Sequence, residues 1–274
     1  MDIRTRRGFV SSLGVCGLAG RALIASGNTP KRFRVFDGLL FSPMPDLSGA
    51  GLPKLLGAGS SWRPGVPHDE VDPAGIRAAV DYMRRLTKHY YFDLEEWTVS
   101  GAPREVIYAN IEKLARTAQI AREAAPELKF GFYDQAPRST YWSVLINKKD
   151  ELDLWYEVNR RSAAIADKVD YLFPSAYTFY DDLKGWEIAA RATIKEARQY
   201  GKPIYPFLCP WYHDSNVKLK GQRVPRDFWR HQLEVCREHA DGVVLWGGYK
   251  ELWDEEADWW VETKSFLGTE GITL

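Results

Sequence analysis

His89-Tyr90-Tyr91-Phe92-Asp93-Leu94-Glu95-Glu96-Trp97 is the stretch on which the reading of this chain turns. It opens with a compact aromatic run of the kind that fills a buried strand, and acids follow at once. Successive strand side chains alternate faces, so Asp93 and Glu95 point one way while Leu94 and Glu96 point the other. Their Cα atoms then lie about 6.5 Å apart, twice the rise per residue. Two carboxylates on one face at the end of a buried strand are costly unless a proton, hydrogen bonds or a cation relieves them. A split in pKa is one resolution: with Asp93 ionised, Glu95 keeps its proton to higher pH and can serve as a general acid. An Asp93 salt bridge to an arginine, with Glu95 as the first exposed loop residue, is the other. Spacing alone leaves both open.

Outward from this segment one unit recurs. Residues 34–41 read as a strand, followed by a Gly/Pro-rich loop over 42–71 that is long enough to carry function. Helical periodicity covers 74–86, the strand at 89–93 follows, and Pro103 starts a helix running to about Ala125. The next strand is 128–133. Helices near 150–166, 183–200 and 225–239 feed strands at 170–174, 203–208 and 242–246, and a helix over 255–266 closes the chain. The neighbourhood of 55–60 has room for another strand. Strands alternating with helices imply parallel pairing through right-handed crossovers. An open doubly wound sheet would want a Gly-rich phosphate turn after its first strand, and Asp37-Gly38-Leu39-Leu40 is not one. The expected fold is therefore α/β, a closed (β/α) TIM-like barrel of seven or eight mostly parallel strands, with residues 28–274 as one catalytic domain. In such a barrel Asp93 and Glu95 sit at the carboxyl-end face, where catalysis is housed.

Composition narrows the partners. Lys+Arg and Asp+Glu both number 37 among 274 residues, so no overall field draws the chain to nucleic acid or an anionic membrane. No zinc-type Cys/His spacing occurs among its 3 cysteines, and neither metal nor cofactor is expected. Its 11 Trp and 14 Tyr suit surfaces that stack on sugar rings. At the amino end, Thr5-Arg6-Arg7-Gly8-Phe9-Val10 precedes an apolar stretch to about Ala25, and Ala25-Ser26-Gly27 offers small residues for cleavage. Residues 1–27 resemble a twin-arginine export signal, which implies a periplasmic or secreted protein with no membrane segment in its mature form. Export would leave Cys209 and Cys236, whose pairing the sequence does not fix, and it does not fix the oligomeric state either.

Asp93-Leu94-Glu95-Glu96-Trp97 resembles the Asp-x-Glu-x-Trp segment of the hyaluronidase family of glycoside hydrolases. Further landmarks follow in that family's order: Gly131-Phe132-Tyr133, Pro174-Ser175-Ala176-Tyr177, Pro203-Ile204-Tyr205-Pro206 with Trp211-Tyr212, and Gly242-Val243-Val244-Leu245-Trp246-Gly247. The resemblance implies hydrolysis of a β-linked N-acetylhexosamine-containing polysaccharide without a protein nucleophile. Glu95 would be the acid/base, Asp93 the partner of the substrate acetamido group, and Tyr177 the hydroxyl that steadies developing charge. Tyr133, Asp134, Tyr212 and Trp246 would contact substrate, with Tyr212 and Trp246 lining the subsite floor. Animal members rely on disulfides this chain cannot form, and its loops are shorter. A cleft for anionic hyaluronan should gather basic residues, and Arg138, Lys148, Lys218, Lys220 and Arg223 lie in the right kind of loops, although solvated surface charge is the plainer account of any one of them.

Two rivals stand beside this reading. Asp134, directly after Tyr133 at another strand end, could be the second carboxylate of a conventional glycosidase. A carbohydrate-binding barrel without activity is the other, although such a site has no physical need to hold unpaired acids. Asp181-Asp182 and Asp254-Glu255-Glu256 read as acids at helix amino ends. His213, beside Asp214, reads as a loop residue meeting ligand or solvent; His231 and His239 as surface residues; and Trp259, Trp260 and Phe266 as helix packing.

Overall fold

Local chemistry starts the helices where the sequence predicts. The computed structural model describes residues 33–59 and 61–272, which fall in one unit, and the export-signal expectation over 1–27 lies outside them. The chain runs through β1 (Arg34–Leu39), β2 (Leu55–Gly57), α1 (Pro73–Leu86), β3 (His89–Phe92), α2 (Arg104–Ala124), β4 (Lys129–Phe132) and α3 (Trp142–Leu145). It continues through α4 (Lys149–Ala166), α5 (Leu183–Ala197), β5 (Phe207–Leu208), α6 (Arg226–His239), β6 (Gly242–Gly247) and α7 (Asp258–Thr269). Asp72 caps α1 by accepting from Ala74 N, with Pro73 at the first helical position. Arg63 forks onto the same carboxylate through Nε at 2.9 Å and Nη2 at 3.0 Å, which holds Asp72 well below the usual carboxylate range. Asp182 caps α5 through Gly185 N, as its place before that helix foretold.

All strand pairs are parallel, in two three-stranded sheets ordered β1-β6-β5 and β2-β3-β4. Isolated parallel bridges join Asp37 to Lys54, Tyr133 to Phe173, Leu172 to Ile204 and Ser175 to Phe207. The ladders therefore differ from the single continuous set of strands expected from the sequence. Two expected strands are the reason. Residues 170–174 make only bridges, and 203–208 shrinks to Phe207–Leu208, because Pro203 and Pro206 have no N–H to give a ladder.

Alternation decides which side chains go where. Tyr90, Phe92 and Leu94 join the core that β3 and β4 share with α1 and α2, while Tyr91 joins an inner cluster with Phe36, Leu55, Tyr171, Phe173, Tyr205, Phe207 and Val244. β4 gives that cluster no large side chain because Gly131 stands at the inward position. A Cβ there would meet the Tyr171 carbonyl oxygen at 2.4 Å and the Phe173 ring at 2.9 Å. The absent side chain is what lets these rings pack. A third core lies among β1, β6, α6 and α7, where Trp259, Trp260 and Phe266 are buried as expected.

The long loop over 42–71 does not reach the cavities described below. Its Trp62 stacks on His68 with centroids 4.4 Å apart and meets Trp97 edge-on at 5.2 Å. Trp97 is itself buried and donates to the His68 carbonyl at 2.7 Å, so it pins this loop instead of facing a ligand.

Candidate active site

Asp93 and Glu95 lie just past the end of β3, and the alternation set up in the strand survives the two residues into the turn. Tyr91, Asp93 and Glu95 all line one cavity of about 740 Å³, whereas Leu94 is buried on the other side and Glu96 turns away to pair with His68 at 3.7 Å. Glu95 also lines a smaller adjoining cavity of about 300 Å³ with Tyr133, Tyr177 and His213, residues common to both. The two cavities are lobes of one cleft that meet at Glu95.

Among the described residues no cation pairs with Asp93 or Glu95. Asp93 is open to solvent at the cleft surface, yet the surrounding walls withdraw it from bulk water, and Glu95, Glu96 and Asp134 add negative charge. Together these push the Asp93 carboxyl up to about 6. The sequence reading placed the raised pKa on Glu95 with Asp93 ionised. The carboxyl that the structure shows pushed up is Asp93, through withdrawal from bulk water and the neighbouring acids.

Tyr177 stands across the cleft. Its ring stacks on Trp246 at 5.6 Å and lies 5.6 Å from Tyr133 and 6.0 Å from His213. Burial raises its hydroxyl pKa well above the ordinary value, and Tyr133 lies within hydrogen-bonding reach, so Tyr177 remains a donor at working pH. Tyr133 in turn donates to Ser175 Oγ at 3.0 Å. Trp246 donates through Nε1 to the Tyr91 hydroxyl at 3.1 Å, a link across the cleft floor between β6 and β3. Trp246 thus lines the cleft, with one ring face given to Tyr177.

Tyr212 lines the larger lobe; it is only 4% exposed, and its hydroxyl is committed to Asp181 at 2.8 Å. Asp134 lines the smaller lobe. Its carboxylate accepts from Ser139 N, Ser175 N and Ser139 Oγ, each at 3.0 Å, and pairs with Arg138 at 2.9 Å. It sits at φ 50°, buried, and organises the loop after β4. A carboxylate with four partners has no free lone pair aimed at a substrate, which removes the support for a second reacting acid here. Of the basic residues considered, Arg138 and Arg223 line the cleft; Lys148 pairs with Glu151 instead. Arg223 lies 3.8 Å over the Trp211 ring and 3.4 Å from Glu251.

His213 plays a larger part than its sequence context indicated. Its Nδ1 accepts from Ser215 N at 3.1 Å, which assigns the proton of the neutral ring to Nε2. Burial lowers its pKa, so the ring is neutral near pH 7 and offers one donor in a cleft wall it shares with Glu95. Asp214 follows it and joins Asp93, Glu95 and Glu251 among the acids of the larger lobe. Cys209 and Cys236 are free thiols, the former in the cleft wall and the latter buried on α6. Among the described residues no three His, Cys, Asp or Glu side chains come together to hold a metal, and no helix is long and apolar enough to cross a membrane.

No protein-family model and no curated protein sequence matches the chain. Solved structures do. The chain is similar to bee venom hyaluronidase in complex with a hyaluronic acid tetramer, at 12% identity and a TM-score of 0.59, over 87% of this chain and 96% of that one. A monoclinic crystal form of bee venom hyaluronidase aligns at 13% identity and a TM-score of 0.52, covering 85% of each chain. The chain thus shares the fold of bee venom hyaluronidase at low sequence identity.

Proposed function

We propose that the protein is an endo-acting glycoside hydrolase that cleaves β-linked N-acetylhexosamine-containing polysaccharide, hyaluronan- or chondroitin-like, with retention of configuration. The observation that carries this reading is the placement of Asp93 and Glu95 together on a cleft that Tyr177, stacked on Trp246, also lines. Glu95 protonates the glycosidic oxygen as the C1–O bond breaks, and the substrate's acetamido oxygen attacks C1 to give an oxazolinium. Asp93 holds the acetamido N–H, and Tyr177 donates to the oxygen on which charge develops. Glu95 then takes a proton from the water that opens the ring. A coupled pair carrying one proton can rest with it on Asp93 and deliver the chemistry with it on Glu95. The commitment of Asp134 to Arg138, Ser139 and Ser175 favours this route over one with two protein carboxylates.

Two finer readings go with it. The bridges from Asp37 to Lys54, Tyr133 to Phe173, Leu172 to Ile204 and Ser175 to Phe207 support reading the two sheets as arcs of one closed barrel of seven strand positions, with residues 172–175 as the arc between β4 and β5. The paired arginines support export: replacing Arg6 and Arg7 with lysine should leave the protein inside the cell in a fractionation assay, and unchanged export would refute a twin-arginine signal.

The mechanism is tested with matched polysaccharides that do and do not carry the N-acetyl group. Reducing ends should be released only from the acetylated polymer, with the β anomer as first product by NMR. Equal cleavage of a de-N-acetylated polymer, or an α product, would rule it out.

A further inference from the structure

A cluster of aromatic side chains stands beside the acid pair and takes no part in the chemistry above. Trp142 begins α3 and is 52% exposed; Tyr180, after the bridge segment, is 37% exposed. Their ring centroids lie 5.0 Å apart, and Tyr141 lies 5.3 Å from Trp142 and 5.0 Å from Tyr180. Hydrogen bonds hold these rings in place. Trp142 Nε1 donates to the Tyr180 hydroxyl at 2.9 Å, and the Tyr141 hydroxyl donates to Asp182 at 3.1 Å, the carboxylate that caps α5. Trp142 and Tyr180 therefore keep apolar surface in water while the Trp142 N–H and the Tyr141 hydroxyl are already paired.

Apolar faces fixed in water lose free energy that a ligand recovers by covering them, with little ordering cost left to meet. The cluster is continuous with the cleft, since Tyr141 and Tyr180 line the smaller lobe together with Glu95 and Arg138. A pyranose presents an apolar C–H face rimmed by hydroxyls, which matches rings with polar edges. We propose that Trp142 and Tyr180 form an outlying sugar-binding subsite that grips the polymer away from the bond being cleaved. The proposal rests on the saccharide reading of the cleft. It makes the protein select for chain length.

The test uses Glu95→Gln protein, which should hold saccharide without cleaving it, titrated with short and long hyaluronan oligosaccharides. Adding Trp142→Ala should weaken the long oligosaccharide about tenfold, about 1.4 kcal/mol, and leave the short one unchanged. Trp142→Phe should recover part of the loss, and Tyr180→Phe, which removes only the hydroxyl that fixes Trp142, should lose a smaller part. Equal affinities of Glu95→Gln and Glu95→Gln/Trp142→Ala for the long oligosaccharide would overturn the subsite and leave the cleft reading standing. Binding of neither length would overturn both. A self-association equilibrium that Trp142→Ala abolishes, with glycan affinity unaltered, would assign the patch to a second copy of the chain and overturn the subsite as well.

Discussion

Withdrawal from water, then the charges of Glu95, Glu96 and Asp134, push the Asp93 carboxyl from an ordinary 3.8 up to about 6. The folded value lies above the unfolded one, so between the two the native state binds more protons than the unfolded chain. Stability therefore falls as pH rises from about 4 to about 6 and stays lower beyond. Asp93 is solvent-exposed, and screening keeps the effect smaller than a fully buried carboxyl would give. Asp93→Asn should remove this dependence. The difference in melting temperature, wild type minus variant, should decrease between pH 4 and 6 and level off above; a difference that is flat from pH 4 to 7 contradicts the assignment. Which two acids share the cleft was legible in the sequence, because alternation along residues 90–95 needs only local geometry. The raised pKa of Asp93 was not, since it depends on Asp134 and on walls brought in from other strands.

At the scale of the element, the loop after β4 is fastened by Asp134, with Asn159 and Trp155 holding Arg138 from α4. Asp134 ties Arg138 and Ser139 to Ser175, which lies 41 positions further along the chain. Asp134→Asn gives up the ion pair and sets a donor against donors, at about 1–3 kcal/mol. The melting temperature should drop by about 5 °C, with kcat/KM lowered no more than about tenfold. Unchanged stability with turnover lost would instead make Asp134 a reacting carboxylate. Helix starts were readable because Asp72, Asp182 and the prolines at 73, 103 and 225 act within their own first turn. The strands at 170–174 and 203–208 were overestimated, since apolar content marks a buried segment but does not supply the N–H groups a ladder needs. α3 and its exposed Trp142 went unnoticed because four residues carry no helical period.

Over the whole molecule, alternation of strand and helix was enough to foresee parallel pairing and the placing of Asp93 and Glu95 at a strand's carboxyl end. The cleft itself is built from contacts no local pattern encodes. Trp246 and Tyr91 meet across 155 positions, Tyr177 stacks on Trp246, and His213 enters the wall beside Glu95 from the loop after β5. Turnover and saccharide affinity of the Glu95→Gln variant, measured together, test the central claim that this glutamate protonates a glycosidic oxygen. The account predicts kcat reduced about 10³-fold, with oligosaccharide affinity and melting temperature near wild type. A variant that cleaves polysaccharide at the wild-type rate would contradict it.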